Sequence, residues 1–383
     1  MTETPTLAVY VHWPYCSRIC PYCDFNVVRD RGKAAEQAAL AAAIIRDMEE
    51  QAARIGPRRL ASVFFGGGTP SLMDPDALGR VVETARRLFP ASGPVEVTLE
   101  ANPTDAEAAR FAAFAAAGVE RLSLGVQSLD DDALKFLGRN HTGAEARRAA
   151  EMARAAFPRL SLDMICARPG QSVTGWRAEL AAALTLGPEH VSPYQLTIEP
   201  GTAFGRAVER GAWRPPGGDL GADLYDATQA VLEAAGFEAY EVSNHARGEA
   251  ARSRHNMMIW EGAEYLGVGP GAHGRIVLDG GRTATRGARG IGDYLARVGA
   301  TGVGFDEIEQ LNPRAAAEER LLLGLRIAQG VPLAEIAALE LSPTDPRAAP
   351  LVDMGLIDID AHRLRATAAG RLVLDRVIAE LAG

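Results

Sequence analysis

Short runs of apolar residues alternate with longer, alanine-rich amphipathic segments between residues 7 and 196. The short runs have the length of buried strands, and the longer segments repeat their apolar positions at helical spacing. Strand–helix alternation of this kind is typical of an α/β protein with a parallel sheet, and six units are too few for a closed eight-stranded barrel. We therefore predict an open, partial (β/α)6 barrel. Its predicted strands are Leu7–His12, Ala61–Phe65, Val95–Glu100, Arg121–Val126, Leu160–Ile165 and His190–Leu196.

The pattern changes after residue 201. A helix is predicted over Asp219–Ala235, with Asp219 as its N-cap, and a glycine-rich run follows at Gly262–Gly274. Near the C-terminus the pattern predicts helices, a small hairpin and one last helix over Ala368–Leu381, an α+β arrangement that resembles a winged helix. We therefore expect three units: the barrel at 1–240, a glycine-rich connecting region at 241–305, and a small C-terminal domain at 306–383.

Composition and charge narrow the function. The formal net charge of −9 argues against nucleic-acid binding as the main task, because phosphate contacts need a basic surface. No apolar run reaches membrane-spanning length, and Met1–Thr6 lacks the basic and apolar segments of a secretory signal. We expect a cytoplasmic protein that could associate peripherally with the inner membrane. Reduced thiols are normal in the cytoplasm, so the four cysteines do not indicate a disulfide framework.

Three of those cysteines, Cys16, Cys20 and Cys23, form a C-x3-C-x2-C cluster directly after the first predicted strand. Three thiolates on one short loop suit three corners of an iron–sulfur cubane. The alternative is a zinc loop with a fourth ligand, for which Cys166, His12 and Asp24 are candidates. Cys166 ends an apolar strand, and we expect it to be a packed core residue.

Polar residues and glycines recur at the ends of the predicted strands, where α/β barrels place their sites. Gly66–Pro70 follows the second strand, Glu100 ends the third, Gln127 follows the fourth, and Asp163 lies in the fifth. Taken singly, each is more often a satisfied polar residue or a tight turn than a ligand. Their recurrence at one end of the barrel favours a shared site.

The cysteine spacing, with an aromatic residue before the last cysteine, resembles the signature of radical S-adenosylmethionine (SAM) enzymes, whose partial barrel is TIM-like. The resemblance implies a [4Fe–4S] cluster on three cysteines, with the fourth iron open to the methionyl group of SAM. It also implies that the glycine-rich loop binds the methionyl amino group, that acidic side chains bind the ribose hydroxyls, and that an arginine binds the carboxylate. Gln195 and His273 match more loosely. The implied SAM residues are Tyr10, Tyr22, Gly67, Gly68, Thr69, Glu100, Gln127, Arg139 and Asp163.

Further motifs, among them YVHWPYCSRICPYCDFN, FFGGGTPSL and GVGPGAHG, resemble the coproporphyrinogen-oxidase-like group of that family. One branch of this group decarboxylates coproporphyrinogen III, and another consists of heme chaperones. The decarboxylases have a further cysteine two residues after the third, where this chain has Phe25, and a longer segment before the cluster. His255, Asn256 and Trp260 resemble the chaperones' HNxxYW heme-binding motif, with Ile259 in place of its tyrosine.

The resemblance therefore implies a chaperone that binds heme and hands it to an acceptor protein, such as a membrane respiratory enzyme. Two alternatives stay open. One is the radical decarboxylase of porphyrin biosynthesis, which would be an enzyme. The other is an iron–sulfur protein without radical chemistry, whose cluster serves assembly or sensing.

Overall fold

The computed structural model describes residues 4–383. Residues 1–3 belong to the segment for which no secretory signal is expected, and they lie outside the described residues. Within the described part of the chain, no helix is long and apolar enough to cross a membrane.

The strands form one large sheet and two small ones. In chain order the strands are β1 Thr6–Trp13, β2 Tyr15–Cys16, β3 Val28–Arg29, β4 Arg59–Gly67, β5 Glu96–Ala101, β6 Arg121–Gln127, β7 Arg159–Cys166, β8 His190–Gln195, β9 Glu238–Ala239, β10 His245–Ala246, β11 Glu264–Val268, β12 His273–Leu278, β13 Gly281–Gly287, β14 Phe305–Gln310, β15 Val331–Pro332, β16 Ile357–Ile359 and β17 Arg363–Ala366.

Helices separate these strands and cover the outside of the large sheet. In chain order they are α1 Ala34–Ile55, α2 Pro75–Leu88, α3 Asp105–Ala108, α4 Phe111–Ala116, α5 Asp131–Phe136, α6 Gly143–Ala156, α7 Val173–Leu184, α8 Ala203–Glu209, α9 Gly218–Ala234, α10 Arg254–Trp260, α11 Ile291–Thr301, α12 Pro313–Gly324, α13 Ala349–Asp353, α14 Ala368–Leu372 and α15 Leu374–Ala382. Short 3-10 turns cover Pro70–Leu72, Glu249–Ala251 and Leu333–Leu339.

The predicted α/β fold is confirmed. Strands β1, β4, β5, β6, β7 and β8 lie side by side in chain order, and each pairs in parallel with the next. Side chains alternate across this sheet, as β geometry requires. In β4, Val63 and Phe65 belong to the apolar core, whereas Ser62 and Phe64 point to the barrel interior, where both contact His255.

The glycine-rich segment 241–305, predicted to connect two units, contributes strands β10 to β13 to the large sheet. Strand β11 pairs in parallel with β1, with Leu7 opposite Glu264, and β12, β13 and β14 then continue the sheet in antiparallel fashion. The first strand of the chain is therefore flanked by β4 on one side and by β11 on the other.

The C-terminal residues have an apolar core of their own, which runs from Ala317 to Leu381. It is covered by helices and by a three-stranded antiparallel sheet in the order β15-β17-β16, in agreement with the expected α+β, winged-helix-like architecture. Two details of the sequence prediction are wrong. The last helix is two helices, α14 and α15, because Val373 adopts a non-helical φ of −126° and ψ of 30°. Helix α9 is preceded by Gly217 as its N-cap, and Asp219 lies in its first turn.

Candidate functional site

The carboxyl ends of the parallel strands open into a cavity of about 1130 Å³. The cysteine loop forms one side of its wall, and residues of α14 and α15 from the C-terminal unit form another. Ligand sites in α/β barrels lie at this end of the strands, so this cavity is the candidate site.

Most of the residues singled out in the sequence line this one cavity, although they come from widely separated segments. The looser candidate Gln195 also lines the cavity and donates to the Gly221 carbonyl. Tyr10, His255, Trp260 and the looser candidate His273 are not among its lining residues. The predicted site residues that do line the cavity are Cys16, Cys20, Cys23, Tyr22, Gly67, Gly68, Thr69, Glu100, Gln127, Arg139, Asp163 and Asn256.

The cysteine loop begins at β2 and carries three free thiols. Cys16 is buried, Cys20 and Cys23 are partly exposed, and the Cys23 amide donates to the Cys20 carbonyl at 3.1 Å. Cys166 is also free, but it is buried in the main apolar core rather than lining the cavity. Three thiols on one loop at the mouth of the cavity fit the donor set of a [4Fe–4S] cluster.

The zinc alternative lacks two of its three fourth-ligand candidates. Cys166 packs in the core, and both ring nitrogens of His12 already have partners. His12 Nδ1 lies 3.1 Å from the Tyr10 hydroxyl and Nε2 lies 2.8 Å from the Asn26 carbonyl. Of the three candidates only Asp24 lines the cavity with the three thiols.

The glycine-rich loop packs directly on the cysteine loop. The Gly68 amide donates to the Trp13 carbonyl and the Thr69 amide to the Tyr15 carbonyl, both at 2.8 Å. A Cβ on Gly67, whose φ is +108°, would lie 2.6 Å from His12 Cε1, and one on Gly68 would lie 2.7 Å from the Tyr15 carbonyl oxygen. These glycines are therefore required for the close approach of two loops, in addition to lining the cavity.

Arg139 connects the cysteine loop to the strand ends. Its guanidinium lies 3.3 Å from Cys20 Sγ, donates to the Gly125 carbonyl at 3.1 Å and also donates to Asn102 Oδ1. The Tyr22 hydroxyl lies close to Cys20 and Arg139, which both act on its pKa. A fixed guanidinium beside the thiols stabilises negative charge there and can bind a carboxylate.

Sequence reasoning missed Asn102, which lines the same cavity. Its side-chain amide donates to Thr69 Oγ1 at 3.1 Å while its carbonyl oxygen accepts from Arg139. The signal was present, because Asn102 lies two residues after Glu100 and a strand places such residues on the same face.

Two buried carboxyl groups, Glu100 and Asp163, interact electrostatically inside the barrel. Burial raises the pKa of Glu100 to about 8, with a further contribution from the nearby Asp163 carboxylate. Burial also raises the pKa of Asp163, against the effect of Ser123, whose hydroxyl donates to both carboxylate oxygens at 3.1 and 3.0 Å. Arg121, a buried cation that sequence reasoning also missed, acts in the opposite direction on both groups. The pair can thus donate as well as accept hydrogen bonds near neutral pH.

Burial also raises the pKa of Cys16 to about 12 and raises that of Cys23. Arg139 lowers both, but by less than burial raises them. Thiols of this kind stay protonated at neutral pH until a metal displaces the proton. Iron binding at this loop is therefore expected to be coupled to proton release.

Helix α10, which carries the HNxxxW residues, lies at the amino ends of the strands. The Glu96 carboxylate accepts from the backbone amides of Arg254 and His255, both at 3.0 Å, and from Arg159 at 2.7 Å. His255 is 2% exposed and stacks on Phe64 at 4.8 Å between ring centroids. The helix therefore forms part of the barrel floor.

The His255 ring is neutral, and only one of its two nitrogens has a hydrogen-bond partner. Its Nδ1 lies 3.0 Å from Ser62 Oγ, while its Nε2 is buried without a partner. Burial lowers the pKa of His255 to about 4. A neutral imidazole with a free nitrogen is the form that binds heme iron, although here that nitrogen does not face the cavity.

Trp260 lies at the other end of the same helix and contacts the C-terminal unit. The Arg326 guanidinium stacks over its indole at 4.8 Å, and Arg320 donates to its carbonyl at 3.0 Å. Asn256 lies between the two ends and lines the cavity. The helix thus contacts the barrel floor, the cavity and the C-terminal unit.

Comparisons with known proteins agree with this architecture. Residues 10–178 match the radical SAM superfamily, and residues 311–373 match the HemN C-terminal domain. The structure superimposes on coproporphyrinogen III oxidase (HemN) from Escherichia coli with a TM-score of 0.82, covering 99% of this chain and 90% of that one at 22% sequence identity. That likeness concerns the fold.

Relatives of higher identity extend over nearly the whole chain. The mitochondrial radical SAM domain-containing protein 1 of Bos taurus is 40% identical and the heme chaperone HemW of Mycobacterium tuberculosis 36% identical, each over 98% of this chain and over 87% and 94% of the relative. HemW of Escherichia coli is 38% identical over 77% of this chain and 78% of its own length. The chain belongs to the radical SAM superfamily. Within that superfamily it is a HemN-like protein close to HemW.

Proposed function

We propose that this protein is a heme chaperone that binds heme and transfers it to an acceptor protein, while holding a [4Fe–4S] cluster and exchangeable SAM. Cys16, Cys20 and Cys23 would hold the cluster. When bound, the cluster supplies an open iron for the methionyl group of SAM and a source of one electron. The acceptor would be a heme-requiring protein, and membrane respiratory enzymes are the class that we expect.

The chain's own residues bind and orient SAM in this proposal. The Arg139 guanidinium, held by Asn102 and the Gly125 carbonyl, would bind the methionyl carboxylate. Glu100 and Asp163 would bind the ribose hydroxyls, and their different hydrogen-bond partners allow one to accept while the other donates. Tyr22, Gly67, Gly68, Thr69 and Gln127 complete the surface facing SAM. Tyr10 lies beneath it, with its hydroxyl bonded to His12.

The observation that carries the chaperone proposal is Phe25. It lines the cavity two residues after Cys23, where the decarboxylase branch has a further cysteine, and its side chain is 64% exposed. A phenyl ring cannot supply a proton or a thiolate, and an exposed aromatic surface suits contact with a macrocycle. The full-length similarity to HemW proteins, which are named heme chaperones, supports the same conclusion.

His255, Asn256 and Trp260 are the proposed heme residues. Phe64 stacks on the buried His255 ring and itself lines the cavity. A His255–iron bond therefore requires α10 to leave the barrel floor or Phe64 to move aside. The unpartnered Nε2 of His255 is free to bind iron, but His141 and His245 also each have one buried, unpartnered ring nitrogen, so the assignment rests on the motif and not on that nitrogen.

Anaerobic reconstitution followed by parallel tests of heme binding and of coproporphyrinogen III turnover separates the two branches. We expect stoichiometric heme binding, read from the Soret band, without formation of protoporphyrinogen. Turnover to protoporphyrinogen would overturn the chaperone proposal in favour of the decarboxylase, which the SAM-facing residues would equally serve.

A pair of variants tests the heme ligand. His255→Ala is expected to lose heme affinity, whereas His245→Ala is expected to retain it. His245 is the matched control because it is also buried and its pKa is also lowered by burial to about 4. Unchanged affinity in the His255 variant would refute the ligand assignment while leaving the chaperone function in place.

A further inference from the structure

The C-terminal unit places three arginines on the cavity wall, Arg326, Arg371 and Arg376. Two of them have carboxylate partners. Arg326 pairs with the buried Glu241 at 3.2 Å, and Arg376 pairs with Glu380 one helical turn further on. Their charges are therefore already compensated.

Arg371 differs from both. The difference is that no carboxylate pairs with Arg371 among residues 4–383. Its side chain is half-buried, and its Nε, like that of Arg326, is buried without a hydrogen-bond partner. Its electrostatic neighbour is Tyr225, whose hydroxyl pKa it lowers against the larger opposing effect of burial. A partly desolvated guanidinium without an anion is costly to hold in a folded protein. The position therefore favours an anionic ligand group.

The residues next to Arg371 are apolar and exposed on the same wall. Leu372 is 44% exposed and Val373 is 45% exposed, and both line the cavity. They are presented there because the helix breaks at Val373, between α14 and α15. Asp375, which also lines this wall, is exposed to solvent and makes no hydrogen bond to Arg371. One cation beside two exposed aliphatic side chains matches a ligand with an apolar face and a carboxylate edge.

We propose that Arg371 binds a propionate carboxylate of a tetrapyrrole, whose ring lies against Leu372 and Val373. This inference rests on the proposed function, and it assigns the C-terminal unit a direct part in ligand binding. Heme and coproporphyrin both carry propionate groups on an apolar ring, so the shared chemistry is that of a carboxylated tetrapyrrole.

The test is a titration of the reconstituted protein with hemin, with coproporphyrin III and with hemin dimethyl ester, in which the propionates are blocked. Arg371→Gln is expected to weaken hemin binding about tenfold or more, the loss of one charge-assisted hydrogen bond, and to leave binding of the ester unchanged. Arg371→Lys should fall between the wild type and Arg371→Gln, because it keeps the charge without the planar fork. Arg365→Gln is the matched control, since Arg365 lies in the same unit, pairs with Asp360 and does not line the cavity.

The outcomes are distinguishable. Equal hemin affinity in the wild type and Arg371→Gln overturns the inference while the chaperone proposal stands. Equal weakening for hemin and for its dimethyl ester also overturns it, because the carboxylate would then not be the group recognised. Failure of the wild type to bind either hemin or coproporphyrin overturns both proposals together. Circular dichroism and SAM affinity, both expected to match the wild type, verify that each variant is folded.

Discussion

The cysteine loop and helix α10 are both short segments that the sequence predicts to be ligand sites, yet the loop faces the cavity and the predicted ligand on the helix is buried. The loop presents Cys16, Cys20 and Cys23 to a large cavity beside a fixed guanidinium. The helix holds His255 in the barrel floor, 2% exposed and bonded to Ser62.

The difference shows that a residue can be a good iron ligand by its chemistry and still be unable to reach iron in the folded protein. Residue type decides what a group can bind, and both segments carry good iron ligands. Tertiary packing decides whether the lone pair can reach a ligand. The cysteine loop is available as it stands, whereas either α10 or Phe64 has to move before His255 can bind iron. In the proposed heme assignment, heme binding is coupled to a conformational change and cluster binding is not.

The largest expected effect concerns the cysteine loop. Cys20→Ala is expected to lose the cluster, because two thiolates cannot hold a cubane that needs three. Iron content and visible absorbance after anaerobic reconstitution measure this. Cys166→Ala is the control and should keep the full iron content, since Cys166 lies in the core. Loss of iron in the control, or its retention in Cys20→Ala, would contradict the assignment.

The next effect concerns the attachment of α10 to the floor. Burial acts to raise the pKa of Glu96, but Arg121 and the amides of His255 and Arg254 together hold it below its usual value. Glu96→Gln is therefore expected to lower the free energy of unfolding by about 1.5–3 kcal/mol, measured by denaturant titration.

Glu238→Gln provides the comparison for that change, because it breaks a pair between Arg252 and the 66% exposed Glu238. A change within about 0.5 kcal/mol is expected there. Similar effects in the two variants would mean that Glu96 does not anchor the helix.

A pH-dependent effect follows from the neutral state of His255. Its pKa is about 4 in the folded protein against an ordinary value of 6.5. Between these values the unfolded chain binds the proton and the folded protein does not. The contribution of the neutral His255 to the free energy of unfolding is therefore complete above pH 6.5 and is lost as the pH falls towards 4. The slope is up to about 1.4 kcal/mol per pH unit. His255→Gln should show a shallower slope than the wild type, and equal slopes would place His255 in a solvated position.

A second pH-dependent effect concerns Glu100 in the cavity. With a pKa of about 8 the folded Glu100 is protonated at neutral pH, whereas in the unfolded chain it is ionised above pH 4.5. Glu100→Gln should therefore change stability by no more than about 0.5 kcal/mol below pH 4.5, and the variant should be more stable than the wild type at pH 7. Because the folded pKa exceeds the ordinary value of 4.5, the wild type should lose stability relative to the variant as the pH rises from 4.5 to 8. Thermal unfolding across this range measures the difference, and a constant difference would show that Glu100 is ionised throughout.

The parallel strands and the cysteine loop could be predicted from the sequence because their signals are local. Apolar runs bounded by glycine and polar residues define the strands, and three cysteines within eight residues define the loop. Period-two alternation would also have placed Asn102 beside Glu100, and a charged residue at the start of a buried strand would have marked Arg121.

The burial of His255 could not be predicted, because it depends on contacts distant in sequence. The orientation of α10 is set by Glu96 and Ser62, which lie in strands far earlier in the chain. The position of Arg371 depends similarly on how the C-terminal unit packs over the barrel. The helix break at Val373 was missed because helix propensity is a weak guide to helix boundaries, even in a segment that contains Gly370 and Val373.

The pairing of β1 with β11 affects how the chain folds during synthesis as well as the final structure. Strand β1 cannot pair with β11, its second neighbour in the sheet, until residues 264–268 have been synthesised. At typical synthesis rates this delay is on the order of tens of seconds. During that interval the edge of β1 next to the cysteines has unpaired amides and carbonyls, which are prone to aggregation. We therefore expect full closure of the barrel to be a late, slow step of high contact order.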